Sequence, residues 1–472
     1  MFSRPLLALA TLAAAACTGM DAPPADPAMA ATTTGTLRGA VASGVRSFKG
    51  VPYAQPPVGA LRWAPPQAFS WSGSREATAF GAPCLQPTNP DGTTANGGGV
   101  AGASSEDCLY LNVWAPVNAS NAPVMIFLYG GGGTMGAGSV STYDGTAFAR
   151  DGVVLITINY RHGALGGFAH PAIARANGST DANFHLLDAI AALKWVKANA
   201  ATFGGDASNI LLFGESAGAT MTANLVTSPL TKGLIQKAII ESTGSLPTPG
   251  TPLARANELG SAFATAHGLP GEAATADQLR AIPAAAIMAN AATRGGLRTV
   301  IDGTTKPQSI MDSFASGSAL DIPMIIGTNS DEGRLSGTQR IATYAMSGAP
   351  VFQYFFDYVA SVRRADNPNG APHAAELPFV FDTLKRDRRL TAGVTTEDQT
   401  VADLIHACWV AFAKQPTFKR TIDCPGFQWP ARTEANGQMV AIFQTVPSLG
   451  NASGLRSPPN GAPPGPTSRD ED

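Results

Sequence analysis

The feature that most restricts the fold is a strand, a sharp turn and a helix in direct succession. Asn209-Ile210-Leu211-Leu212-Phe213 is a short apolar run, Gly214-Glu215-Ser216-Ala217-Gly218 follows it, and Ala217 to Leu225 has a helical pattern. A G-x-S-x-G sequence alone is weak evidence. Between an apolar strand and a helix it is what a nucleophile elbow requires, because small neighbours let the backbone turn tightly and lift a serine hydroxyl out of a sheet. The helix also points its N-terminus at that hydroxyl, where negative charge would develop.

The surrounding chain supplies a sheet for this turn. Val124-Met125-Ile126-Phe127-Leu128, Val153-Val154-Leu155-Ile156-Thr157-Ile158, Ile322-Pro323-Met324-Ile325-Ile326 and Met439-Val440-Ala441-Ile442-Phe443 are further apolar runs. Continuous runs rich in β-branched residues mark strands buried on both faces. Leu186, Leu187, Ile190, Leu193 and Val196 recur at helical spacing and stop before Gly204-Gly205. Strand and helix alternation predicts an α/β architecture with a mostly parallel sheet flanked by helices.

Composition excludes several other classes. Of 472 residues, 44% are apolar and 14% charged, which fits a large folded body rather than a disordered chain. The formal net charge of −2 gives no electrostatic reason to bind nucleic acid or acidic membranes. No apolar run beyond residue 20 reaches the roughly 18 residues that a membrane span needs. No CxxC or His/Cys cluster suggests a metal, and no cofactor is expected.

The N-terminus reads as an export signal. Arg4 precedes the apolar stretch Pro5 to Ala16, and Cys17 follows immediately. Two processing readings stay open: lipidation at Cys17, or cleavage after Ala28-Met29-Ala30. The expected organisation is a signal over residues 1–17, a disordered Pro/Ala/Thr-rich tether over 18–34, one catalytic domain over 35–446 and a disordered Pro/Gly-rich tail over 457–472. The protein would then be periplasmic, secreted or an outer-membrane lipoprotein, touching a membrane only through the lipid. Export permits disulfides. With Cys17 aside, Cys84, Cys108, Cys408 and Cys424 allow three pairings, and proximity favours Cys84–Cys108 with Cys408–Cys424. Closing the first, across a separation of 24, would stabilise by roughly 3 kcal/mol in the chain-entropy account.

A nucleophilic serine needs a base, an acid to orient that base, and donors for an oxyanion. After an elbow serine the acid and then the histidine come later in the chain. Of six histidines (His162, His170, His185, His267, His373 and His406), only the last two come late enough. His406 lies in a helical pattern. His373 sits in the Gly/Pro-bracketed loop Gly370-Ala371-Pro372-His373, and loops carry catalytic groups more readily, so His373 is the better base. The acid is sought in Gly327-Thr328-Asn329-Ser330-Asp331-Glu332-Gly333, which follows a strand and offers adjacent carboxylates. The glycine run Tyr129-Gly130-Gly131-Gly132-Gly133, also after a strand, can present bare N–H groups to a substrate oxygen, two of them acting with the N–H of Ala217.

Several separate stretches together resemble the type-B carboxylesterases, the family that also contains cholinesterases and the non-catalytic neuroligins. They are Gly50-Val51-Pro52-Tyr53-Ala54-Gln55-Pro56-Pro57-Val58-Gly59 with Leu61-Arg62-Trp63, then Glu106-Asp107-Cys108-Leu109-Tyr110-Leu111-Asn112-Val113. Ile158-Asn159-Tyr160-Arg161, Phe203-Gly204-Gly205-Asp206 through Gly218, and His373-Ala374-Ala375-Glu376-Leu377-Pro378-Phe379-Val380-Phe381 complete the set. The likeness runs from about Thr36 to about Gln444. It implies an α/β-hydrolase fold and carboxylic ester hydrolysis through an acyl-enzyme. It also implies Ser216 as nucleophile, Glu332 as acid, His373 as base, and Gly131, Gly132 and Ala217 as the oxyanion hole. Glu215 would be a nearby electrostatic residue, and Cys84–Cys108 the family's first disulfide; Cys408–Cys424 rests on export and spacing alone.

The chain also departs from the family pattern. Residues 85–107 contain no aromatic, so a quaternary ammonium would lack a ring to rest on and a cholinesterase is disfavoured. Gly133 stands where the family usually has an aromatic. Only 41 positions separate Glu332 from His373, which implies a shortened insertion. The expected activity is hydrolysis of broad or bulky small-molecule esters. The alternative is a neuroligin-like binding protein that kept the fold and lost the chemistry.

Overall fold

The computed structural model describes residues 26–87, 103–243, 249–451 and 455, apart from 292–293, 296–298, 333–334, 347, 391–392 and 437–438. Cys17, residues 88–102 of the first cysteine loop and the expected tail at 457–472 lie outside the described residues.

An 11-stranded mixed sheet organises the chain. Its strands are β1 (Ala40–Ala42), β2 (Val45–Pro52), β3 (Tyr110–Pro116), β4 (Ala122–Leu128), β5 (Val154–Ile158), β6 (Gly205–Glu215), β7 (Lys237–Glu241), β8 (Met324–Asn329), β9 (Val351–Phe356), β10 (Met439–Phe443) and β11 (Ser448–Asn451). Their spatial order is β11-β10-β9-β8-β7-β6-β4-β5-β3-β2-β1. The centre, β5-β4-β6-β7-β8-β9-β10, is parallel throughout, while β1, β2, β3 and β11 pair antiparallel towards the edges. Every residue of β4 and β5 is buried, as expected for parallel strands covered on both faces.

The helices α1 (Phe184–Asn199), α2 (Ala217–Val226), α3 (Leu335–Ala345), α4 (Leu377–Val380) and α5 (Thr396–Lys414) are among those around this sheet. The α2 helix packs on β4, β6 and β7, carrying the residue before it to the strands' C-terminal edge. Parallel register aligns that edge: Leu128 pairs with Gly214, Glu215 with Glu241, and Glu241 with Gly327.

Disulfides join Cys84 to Cys108 and Cys408 to Cys424. The first lies beside an Arg62–Glu106 pair with contacts of 2.7 and 2.6 Å, and the second ties α5 to the hairpin Thr421–Cys424/Phe427–Pro430.

Two boundaries differ from expectation. The expected tether at 18–34 includes Met29–Thr32, which instead forms a strand paired antiparallel with Gly35–Arg38. Its composition reads as structureless, yet backbone pairing needs no side-chain pattern, and Ala30 is buried against the core. At the other end, β11 extends ordered structure past 446 to Asn451 by pairing with β10.

Candidate active site

Ser216 sits between β6 and α2 with φ 56° and ψ −122°, a conformation that an ordinary L-residue avoids. Close packing holds it there. A Cβ on Gly218 would come within 1.9 Å of the Leu128 carbonyl oxygen, so only glycine lets the turn approach β4. The Ser216 N–H donates to the Glu241 carbonyl at 2.9 Å, tying the elbow to β7.

The late histidine and the acid turn meet this hydroxyl. His373 Nε2 lies 2.8 Å from Ser216 Oγ, and His373 Nδ1 lies 2.8 Å from Glu332 Oε1. The second Glu332 oxygen accepts from Thr328 Oγ1 at 2.6 Å. This carboxylate is buried, with 2% of its side chain exposed, whereas 38% of the His373 side chain meets solvent. A serine in contact with an imidazole, itself held by a buried carboxylate, is the arrangement that moves a proton off a nucleophile. His406 is placed elsewhere, on α5, where it bonds the Val380 carbonyl at 2.7 Å and faces Asp151.

Gly131 (φ 116°) and Gly132 (φ 63°) follow β4 in conformations suited to glycine. Neither their N–H groups nor that of Ala217 donates to any described residue. Such donors beside Ser216 can hold an oxygen that becomes charged. Glu215 is fully buried, with Oε1 3.2 Å from His373 Nε2.

Three residues at the site had no role in the sequence reading. Asn329, at the end of β8, donates through Nδ2 to the Pro372 carbonyl at 2.8 Å and to Glu376 Oε2 at 2.5 Å. Glu376 also accepts from Ser242 Oγ at 3.2 Å; burial first, then the Glu332 carboxylate, push its pKa up to about 7. Glu241, opposite Glu215 in the sheet, accepts from Trp409 Nε1 at 2.6 Å while its other oxygen has no hydrogen-bond partner among the described residues. Burial, then Glu376, raises its pKa well above the ordinary range. Adjacent buried carboxylates repel, so protons are retained here. Among the described residues no group of three or more His, Cys, Asp or Glu is arranged to hold a metal ion.

A model of the carboxylesterase family matches residues 26–343 and 335–450. The chain is 37% identical to a fumonisin B1 esterase of Sphingopyxis macrogoltabida over 91% of its own length and 88% of the relative's. Against a para-nitrobenzyl esterase of Bacillus subtilis (strain 168) identity is 34%, covering 88% and 94% of the two chains. Its fold superposes on a solved PNB esterase with a TM-score of 0.78 and 31% identity, covering 90% of this chain and 97% of that one. The architecture is therefore the α/β-hydrolase fold. With relatives matched over nearly their whole length, the chain belongs to the type-B carboxylesterase family of carboxylic ester hydrolases.

Proposed function

We propose that the protein is an exported serine esterase that works through an acyl-enzyme on Ser216. The observation that carries this reading is His373, within 2.8 Å of both Ser216 Oγ and Glu332 Oε1. Ser216 Oγ attacks the ester carbonyl carbon while His373 Nε2 takes the hydroxyl proton. The carbonyl oxygen becomes an oxyanion facing the N–H groups of Gly131, Gly132 and Ala217. Collapse breaks the bond to the alcohol oxygen, which leaves with the proton from His373. Water then attacks the acyl-serine by the same route, releasing the carboxylic acid and restoring Ser216. Glu332 stays ionised, keeps the proton on Nδ1 and stabilises the imidazolium that forms. Glu215, buried beside the ring, favours that same cation.

The substrate is a small-molecule ester, with no nucleic acid partner. A broad or bulky preference fits an open rim: an added Cβ at Gly133 would meet nothing within 4 Å. One relative's name carries a para-nitrobenzyl group, which is larger than a methyl or ethyl ester would present. Two disulfides fit an oxidising compartment, and among the described residues no helix is long and apolar enough to cross a membrane.

The test is hydrolysis of short p-nitrophenyl esters by purified protein, with Ser216→Ala as the comparison. Turnover by the unmodified protein and a loss of at least about 10³-fold in a folded Ser216→Ala variant are expected, because the three residues act as a unit. A binding protein without chemistry would show no turnover. Activity retained by Ser216→Ala would remove this serine from its assigned role.

A further inference from the structure

The glycine loop after β4 has to hold its N–H groups still, although glycine is the residue least able to hold a backbone in place. Upstream, Tyr129 does so: its carbonyl accepts from Tyr160 Oη at 2.5 Å and its hydroxyl meets His162 Nε2 at 2.9 Å. Within the loop, the Gly131 carbonyl accepts from the N–H groups of Thr134 and Met135 at 3.1 and 3.2 Å. The loop then closes on itself, since a Cβ on Gly136 would lie 2.7 Å from the Gly130 carbonyl oxygen. Whatever holds Gly136 therefore holds the base of the turn that carries Gly131 and Gly132.

Gln86 holds it. This side chain is 6% exposed and uses its whole amide. Nε2 donates to the Gly136 carbonyl at 2.8 Å and to the Cys84 carbonyl at 2.9 Å, and Oε1 accepts from the Gly136 N–H at 2.7 Å. Both backbone polar groups of Gly136 are thus met by one side chain 50 positions away. Gln86 stands on a fixed support, two residues after the Cys84–Cys108 disulfide, where the Ser105 N–H donates to Pro83 at 2.9 Å.

We propose that Gln86 is a positioning residue for the oxyanion hole, acting through Gly136 to keep the N–H groups of Gly131 and Gly132 aimed at the developing oxyanion. The disulfide-bound segment is the frame from which it acts. This rests on the esterase reading above. Oxyanion donors work by being preorganised, and their contacts strengthen in the transition state, so loosening them lowers kcat more than it weakens substrate binding.

The experiment uses the full chain with Gln86→Met, which keeps the volume and removes all three bonds, and Gln86→Glu, which keeps the acceptor for Gly136 N–H and removes both donors. Three quantities are measured: kcat and KM for p-nitrophenyl butyrate; inhibition by an aryl trifluoromethyl ketone, which adds Ser216 to form a hemiketal; and inhibition by the matching ether, which cannot. We expect kcat to fall by about 10- to 100-fold in both variants. The ketone's Ki should rise by the same factor, while KM and the ether's Ki change less than about twofold. A residue that served only stability would lower Tm without separating ketone from ether. Folded Gln86→Met with kcat within about twofold of the unmodified protein, or with ketone and ether weakened alike, overturns the proposal. If that variant does not fold, the same ketone-to-ether comparison on Gln86→Glu decides. Turnover by the unmodified protein tests the esterase reading separately, before any Gln86 variant is made.

Discussion

Asn329 Nδ2 donates to Glu376 Oε2 at 2.5 Å and to the carbonyl of Pro372 at 2.8 Å, so one buried amide grips the turn bearing His373 on both sides. The next residues continue the grip. Ser330 Oγ accepts from the Ala371 N–H at 2.8 Å, the Asp331 N–H donates to the Ala371 carbonyl at 3.0 Å, and Glu332 meets the histidine itself. Four consecutive residues after the core of β8 thus fasten the loop that carries His373. Ala374 holds φ 59° inside that loop, a conformation that persists only where its surroundings impose it.

Glu376 makes stability depend on pH. Burial and the Glu332 carboxylate raise its pKa from 4.5 to about 7, so the folded state keeps a proton that the unfolded chain has already lost. Below about pH 4.5 both states hold the proton and there is no difference. Between there and pH 7 the folded state binds more protons, so stability falls as pH rises, on the order of 3 kcal/mol in all. Glu376→Gln removes this titration while keeping an oxygen for Asn329. Urea midpoints measured from pH 5 to 8 should fall more in the unmodified protein than in the variant. Parallel curves would show that Glu376 does not retain its proton.

The choice of acid is tested by neighbours. Glu332 reaches His373 Nδ1 at 2.8 Å, while adjacent Asp331 holds the loop through its backbone N–H instead of its carboxylate. Glu332→Gln keeps the shape but favours the wrong imidazole tautomer, so kcat should fall by about 10³- to 10⁴-fold. Asp331→Asn should stay within about threefold of the unmodified enzyme. The reverse order of effects would assign the acid to Asp331.

The legible parts were those where one local signal carries the structure. Val124–Leu128 is an unbroken apolar run, Val154–Ile158 is interrupted by Thr157 alone, and the elbow at Ser216 is written in five consecutive residues. By contrast, β7 is only Lys237–Glu241, with an ionisable residue at each end, and both are buried: Lys237 Nζ donates to Asn209 Oδ1 and the Ala413 carbonyl, and Glu241 accepts from Trp409. A strand whose buried ionisable ends find partners far along the chain has no apolar pattern to read at those ends. Asn329 and Gln86 escaped for a similar reason. Apart from the Cys84 carbonyl two residues before Gln86, their partners lie 43 to 50 positions away, and such long-range amide bonds depend on the fold rather than on any residue pattern.

The N-terminal strand bears on processing. Ala30 is 2% exposed and pairs with Leu37, so a cut after Ala30 would remove two of the four residues of Met29–Thr32. The lipoprotein reading leaves that strand whole. Protein isolated from the cells that make it should begin at a diacylglyceryl-modified Cys17 and partition with membranes. An unmodified N-terminus at Ala31 by intact mass, in soluble material, would rule this out.

The rim of the site predicts its tolerance for alcohol groups. The chain between Glu332 and His373, a separation of 41, supplies α3 and β9, and β9 is spent inside the sheet between β8 and β10. Little chain remains to wall the entrance. The sequence of residues 85–107 contains no aromatic, and a Cβ added at Gly133 would meet nothing within 4 Å. His373 itself keeps 38% of its side chain in contact with solvent. An open site buries less of a small ligand, so affinity for methyl and ethyl esters should be modest, while bulkier alcohols should be admitted. Measured across methyl, ethyl, butyl, benzyl and naphthyl esters of one acid, kcat/KM should therefore stay within about tenfold or rise with alcohol size, since each apolar group that gains contact adds binding. A fall of more than about 100-fold beyond the ethyl ester, with the acid unchanged, would show a narrow alcohol pocket and sink this reading.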